Sequence, residues 1–295
     1  MKVIRGVEEM REWSREIHRQ GGLIGFVPTM GYLHEGHLSL VRLVKERVSA
    51  TVVSLFVNPI QFRPGEDFER YPRNESRDIE LLDKEGVQVV FSPSVGEMYP
   101  EGFSTYIEVT QLQDPLCGRF RPGHFRGVAT IVAKLFNIVE CDIAAFGLKD
   151  YQQAMIIRRM VKDLNMPVTI VLGPTIREED GLAMSSRNQY LNPEERLRAR
   201  AIPQALERAR RLALDGSISP RRLVYQVRRW LLESGVDQIQ YVAVVHPEKL
   251  HTIESISPYA LLAVAVYIGS TRLIDNVLIG PEGEKNPICF IDEDY

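Results

Sequence analysis

The 295-residue sequence predicts an α/β protein: a Rossmann-like parallel-sheet domain over residues 1–175, followed by a smaller C-terminal α+β domain over residues 176–295. Two observations predict it. Up to about residue 175, short β-rich apolar runs alternate with helical patterns, which is how a parallel sheet with crossover helices reads. Beyond Pro193 the texture changes to Arg- and Glu-rich helices and then to β-patterned runs, the last two with no helix between them, so antiparallel pairing is expected there.

Taken in order, the parallel strands are expected at Leu23 to Val27, Thr51 to Val57, Val87 to Phe91, Asp142 to Phe146 and Val168 to Leu172. Each is nearly continuously apolar, as strands covered on both faces are. Between them, Leu38, Val41, Val44 and Val48 recur at helical spacing, and Ile79, Leu81 and Leu82 begin a helix that Gly86 stops. Gly127 to Val139 and Tyr151 to Leu164 are two further helices. The Gly173-Pro174 turn marks the domain boundary near residue 176. Helices then follow over 194–214 and 219–234, and strands over Ile239 to Val245, Leu261 to Tyr267 and Leu273 to Ile279. A polar tail, Pro281 to Tyr295, is expected to fray.

Composition narrows the function. A hydrophobic fraction of 44% is enough to bury a core, and a net charge of -3 offers no basic excess for nucleic acid, so small molecules are the expected ligands. Cys117, Cys141 and Cys289 are too far apart for a zinc cluster, a CxxC pair or a disulfide framework, which fits a reducing cytoplasm. Charges fill the N-terminus where a signal peptide would be apolar, and no apolar run reaches the ~20 residues of a membrane span. A cytoplasmic protein with no membrane and no nucleic-acid partner is expected.

Chemistry concentrates where the first strand gives way to the first helix. There the run Gly25 to His37 ends in His34-Glu35-Gly36-His37. Unpaired N–H groups and the dipole make a helix N-terminus attractive to phosphate, Gly36 lets a nucleotide approach the backbone, and two imidazoles can donate to phosphate oxygens. Neither a Walker A loop nor a GxGxxG fingerprint is present, so another phosphate-binding segment is needed. Met184-Ser185-Ser186-Arg187 supplies one in chemical terms, with two hydroxyls and a guanidinium suited to β- and γ-phosphate oxygens.

HxGH after a strand resembles the HIGH signature of the nucleotidylyltransferase superfamily, and Met184 to Asn188 resembles its KMSKS-like loop. Further runs narrow the resemblance: Pro28 to Gly31, Val57 to Phe62, Arg121 to Gly127, Gly147 to Gln153, Asp180 to Asn188 and Thr271 to Asn276. In this order and spacing the sequence closely resembles the pantoate–β-alanine ligase family. That resemblance implies condensation of pantoate with β-alanine, with ATP as a substrate, Mg2+ bound mainly through the ATP phosphates, and a homodimer. It places ATP against Met30, Gly31, Tyr32, Leu33, His34, Glu35, Gly36, His37, Gly147, Leu148, Lys149, Asp150, Ile176, Met184, Ser185, Ser186 and Arg187. His37 would be the donor to the phosphate region with His34 as its companion, and Lys149 would neutralise phosphate charge. Gln61 and Gln153 would hold pantoate, and Gln61 would also face β-alanine; no protein metal cage is expected. Leu148 departs from the family's usual acidic residue, and Asp78 is a weaker candidate for reaching magnesium through water. Two rival functions are a nucleotidyltransferase that makes no amide and a nucleotide-binding module without turnover.

Overall fold

The computed structural model describes residues 1–214 and 218–280, so the tail from Pro281 to Tyr295 lies outside the described residues. In chain order the first part comprises β1 (Lys2–Ile4), α1 (Val7–Arg19), β2 (Ile24–Thr29), α2 (Glu35–Lys45), β3 (Ala50–Leu55), α3 (Glu75–Lys84) and β4 (Val89–Phe91). Two one-turn helices, α4 (Val95–Met98) and α5 (Cys117–Phe120), then lead to α6 (His124–Val139), β5 (Ile143–Gly147), α7 (Tyr151–Asp163) and β6 (Thr169–Gly173). The remainder is α8 (Pro193–Ala199), α9 (Ala201–Leu214), α10 (Pro220–Glu233), β7 (Gln238–Val245), β8 (Ala260–Ile268) and β9 (Thr271–Ile279).

Six strands form a parallel sheet in the order β1-β4-β3-β2-β5-β6. Both faces are covered, one by α1, α6 and α7 and the other by α2 and α3, which is why the strands read as unbroken apolar runs. β3 is buried at every position. From the central pair β2 and β5, the chain winds outwards to β3 and β4 on one side and to β6 on the other. That reversal opens a crevice beyond the carboxyl ends of β2 and β5, the place where doubly wound sheets bind ligands.

The antiparallel sheet β7-β8-β9 confirms the α+β reading of the last third. Leu262, Val264 and Val266 of β8 pack under α9 and α10, while Leu261 and Ala263 point to the opposite face and join the core of the parallel sheet. Burial on both sides explains why β8 shows no polar alternation.

Three features depart from the sequence expectation. The sheet has a sixth strand, β1, whose three residues are too short to show a period, and α1 follows it unannounced. A single helix was expected over 194–214, but α8 ends at Ala199 and α9 starts afresh at Ala201. Pro203 supplies the reason: it has no N–H to extend a helix from α8, yet is tolerated in the first turn of a new one.

Candidate active site

A cleft of about 1370 Å³ lies over the β2–β5 crevice. It is bordered by the β2–α2 junction, the turn after β5, the start of α6 and the hairpin over 176–187. Most sequence-selected residues meet here: Met30, His34, Gly36, His37, Gln61, Gly147, Lys149, Asp150, Gln153, Ile176, Met184, Ser185, Ser186 and Arg187 all line it. Five do not. Leu33 and Leu148 are buried in the core, Glu35 is paired outside with Arg42, and Gly31 and Tyr32 border a separate hollow.

The two histidines form one unit. Their rings lie with centroids 4.0 Å apart, and His34 N donates to His37 Nδ1 at 3.3 Å. With Nδ1 accepting, a neutral His37 carries its proton on Nε2 and is a donor there. Neutrality is enforced: burial, then the nearby His34 and Lys149, hold the His37 pKa well below its ordinary value, and burial followed by Lys149 pushes His34 down to about 4. Among the described residues the buried His34 Nδ1 has no hydrogen-bond partner. Gly36 makes the arrangement possible, because a Cβ there would sit 3.0 Å from His34 Cε1 and Nδ1.

Asp78 holds the junction in shape. Its two carboxylate oxygens accept from Tyr32 N at 2.6 Å and Leu33 N at 2.8 Å, while Arg77 Nη1 donates to Leu33 O at 3.0 Å. Both oxygens of this buried side chain are thus engaged with the backbone.

Lys149 sits in the 3-10 turn that follows β5, with Nζ 3.9 Å from Asp150 Oδ2. Asn276 of β9 fixes this turn from the other sheet, donating from Nδ2 to the carbonyls of Leu148 and Lys149 at 3.0 Å each. The backbone of Leu148 is therefore held while its side chain is buried, so the departure from an acidic residue leaves the turn intact.

Ser185 to Arg187 reach the cleft through a hairpin, in which Met184 N donates to Ile176 O at 2.9 Å and Arg177 bridges Ala183. Ser186 Oγ donates to Tyr32 O at 3.3 Å, which ties this hairpin to the histidine junction. Arg187 forms a bidentate pair with Asp67, at 2.7 and 2.8 Å, and lies over the Tyr71 ring. Although burial opposes ionisation of both, the pairing holds the Asp67 carboxyl below its usual range.

Around the other wall, Gln61 is oriented by its neighbours. Asn58 Nδ2 donates to Gln61 Oε1 at 3.0 Å, Tyr99 OH fixes Asn58 by donating to its Oδ1 at 2.7 Å, and Gln61 Nε2 lies 3.0 Å from Met30 Sδ. Arg121 Nη1 can only donate to His124 Nε2, so His124 carries its proton on Nδ1 and gives it to Gln61 O at 2.8 Å. Burial, then Arg121, pushes the His124 pKa down to about 3. Adjacent glutamines on α7 divide their labour: Gln153 faces the cleft, whereas Gln152 is buried and holds Cys117 N, Leu112 O and Pro115 O. Asn58, Asp67, His124 and Asn276 were given no role by sequence reasoning, although all but Asp67 lie in runs that carry the family resemblance.

A doubly wound sheet whose switch point carries neutral histidines, a lysine and a Ser-Ser-Arg hairpin defines a protein of the nucleotide-using α/β class. The model of the family described as pantoate-beta-alanine ligase matches residues 2–278, and the chain belongs to that family. Pantothenate synthetase of Sulfurihydrogenibium sp. is 54% identical over 278 residues, covering 94% of this chain and 99% of that protein. The Thermoanaerobacter sp. pantothenate synthetase is 52% identical over 280 residues, covering 95% and 99%. Among solved structures, pantothenate synthetase from Thermus thermophilus superposes with a TM-score of 0.89 at 45% identity, covering 95% of this chain and all of that one. A Francisella tularensis pantoate-beta-alanine ligase complexed with beta-gamma ATP and beta-alanine superposes with a TM-score of 0.78 at 34% identity, covering 94% and 97%.

Proposed function

We propose that this chain is an ATP-dependent ligase that joins pantoate to β-alanine, releasing pantothenate, AMP and diphosphate. What carries the reading is that the HxGH junction, the Gly147–Asp150 turn and the Ser185–Arg187 hairpin converge on one cleft, in a chain of this family.

A carboxylate resists attack by an amine because oxide would have to leave. A pantoate carboxylate oxygen therefore attacks the α-phosphorus, the bond to the β-phosphate oxygen breaks, and diphosphate leaves from a pantoyl adenylate. The β-alanine nitrogen, as free amine, next bonds to the acyl carbon, loses a proton and expels AMP. Positioning and charge stabilisation suffice for both steps. His37 Nε2–H is the donor to the α-phosphate, His34 its companion, and Lys149 neutralises charge on the transferring and leaving phosphates. Met30, His34, Gly36, His37, Gly147, Lys149, Asp150, Ile176 and Met184 to Arg187 form the ATP site. Gln61 and Gln153 hold pantoate through amide groups that both donate and accept, and Gln61 also faces β-alanine. Magnesium enters with the substrate as the counter-ion of the triphosphate. Asp78 is left outside the magnesium proposal, since it borders the separate hollow and not the cleft, and its oxygens hold the Tyr32 and Leu33 N–H groups.

Two further readings extend the proposal. Residues 1–175 and 176–295 act as two domains, the second a lid whose hairpin settles on the triphosphate. The enzyme is a cytoplasmic homodimer; among the described residues no helix is long and apolar enough to cross a membrane.

Mass detection of pantothenate from pantoate, β-alanine and MgATP tests the reaction directly. AMP should appear only when both organic substrates are present. Multiple-turnover release of diphosphate without the amine, with the adenylyl group kept on the acceptor and no AMP set free, would instead fit a transferase that makes no amide.

A further inference from the structure

β9 reaches both phosphate-handling segments from a single strand. Its alternate residues face opposite ways: Leu273 and Val277 pack in the core beneath α9 and α10, whereas Ile274 and Leu278 pack against the core of the parallel sheet. The neighbours Asp275 and Asn276 part in the same manner. Asn276 meets the Lys149 turn, to whose Leu148 and Lys149 carbonyls its amide donates. Asp275 meets the base of the hairpin that carries Ser185 to Arg187.

The contact there is a bidentate clamp. The buried Asp275 carboxylate accepts from Arg177 Nη1 at 2.7 Å on Oδ2 and from Arg177 Nη2 at 3.1 Å on Oδ1. Oδ1 also accepts from Asn276 N at 2.8 Å, and Arg177 Nη1 donates to Gly181 O at 3.1 Å. One guanidinium thus closes the hairpin and fastens it to β9. The hairpin's ties to the parallel-sheet domain are of another kind. Ser186 donates to Tyr32 O and Arg187 is paired with Asp67, so a triphosphate competes for both groups. Neither Arg177 nor Asp275 borders the cleft, and their clamp holds the hairpin from behind.

We propose that Asp275 is a positioning residue for the adenylate-forming step: through Arg177 it holds the Ser185–Arg187 hairpin at a fixed offset from Lys149, so that both meet one triphosphate. The inference rests on the ligase reading above. β9 carries the hairpin on one face and docks on the Lys149 turn by the other, which sets their spacing. Ser185 to Arg187 are called upon only while the β- and γ-phosphates are present. Once diphosphate has left, attack of the amine on the pantoyl adenylate makes no use of them. Loss of the clamp therefore falls on the first half-reaction alone.

The test separates the two halves. Pantoate-dependent exchange of labelled diphosphate into ATP reports the first step without any amine, and its absence in the wild-type enzyme would overturn the ligase reading itself. Single-turnover conversion of supplied pantoyl adenylate by β-alanine reports the second. In Asp275→Asn, which keeps the size and gives up the charge, exchange should fall on the order of 10²-fold, the scale for misplacing a group that orients reactants. The KM for ATP should rise and the KM for pantoate stay unchanged, while the second step keeps its wild-type rate and its KM for β-alanine. Arg177→Met, at a side chain 34% exposed, should give the same split, so either variant suffices if the other fails to fold. The double variant should lose no more than the worse single one, because both changes open the same clamp. Asp275→Glu should recover part of the exchange. Exchange near the wild-type rate in a folded single variant would overturn the proposal, as would losses that add in the double variant. Parallel loss of both steps would reduce the clamp to a general support of the fold, and selective loss of the second would place Asp275 at the amine; either result refutes the assignment.

Discussion

Gly127→Ala probes how the fold holds Gln61. The first turn of α6 lies directly against the 3-10 turn Pro59–Gln61, and a Cβ at position 127 would meet Ile60 O at 2.5 Å, Gln61 Cα at 2.7 Å and Gln61 N at 2.8 Å. All three are backbone atoms, so no side-chain rotation relieves the clash. Ordinary contact begins at 3.4 Å, which leaves about 0.9 Å to be made up by moving the turn away from the helix. The strain of such overpacking is about 1–3 kcal/mol. Gln61 moves with the turn, and its amide loses register with Asn58 and Met30. A misplacement of that size costs on the order of 10²-fold in rate when the displaced group positions a substrate. The measurements are kcat/KM for pantoate, the KM for ATP and the urea midpoint of the same preparation. Expected are a fall of about 10²-fold in the first, little change in the second and a lower midpoint. Wild-type kcat/KM for pantoate at a clearly lowered midpoint would show that α6 yields instead of the turn, and that Gln61 is not held from this side.

Asp67→Asn should tighten nucleotide binding, roughly tenfold by calorimetry with a non-hydrolysable ATP analogue, because Asp67 occupies the guanidinium proposed to meet phosphate. Weaker binding would mean that Asp67 positions Arg187 instead of competing for it. His37→Ala and Lys149→Ala should each lower turnover on the order of 10²–10³-fold, as for removal of one preorganised donor. Near-wild-type turnover in folded variants would refute these roles. Stability should fall as pH drops from 6.5 towards 5: unfolded histidines take up protons near 6.5, whereas folded His34 and His124 stay neutral down to about 4 and about 3 and His37 is also shifted down. Each such histidine removes about 2 kcal/mol by pH 5. A urea midpoint that stays flat between pH 6.5 and 5 would mean these rings protonate in the folded protein.

The parallel strands were legible because burial on both faces leaves β2 to β6 mostly apolar, and the HxGH run because its residue types are unusual at a strand-to-helix junction. α1 was also within reach: Met10, Trp13 and Ile17 recur at helical spacing in an otherwise charged segment, and all three pack in the core. The break before α9 was readable from Pro203. Other features were out of reach for a physical reason. Asp67 meets Arg187 from 120 positions away, and Asn276 meets Lys149 from 127, so neither pair has a local pattern. Whether a side chain faces the cleft or the core is equally hidden where a run changes face at each residue. Gln152 and Gln153 are chemically identical and about 100° apart around α7, and only the packing of the 112–117 loop decides that one is buried scaffold and the other borders the cleft.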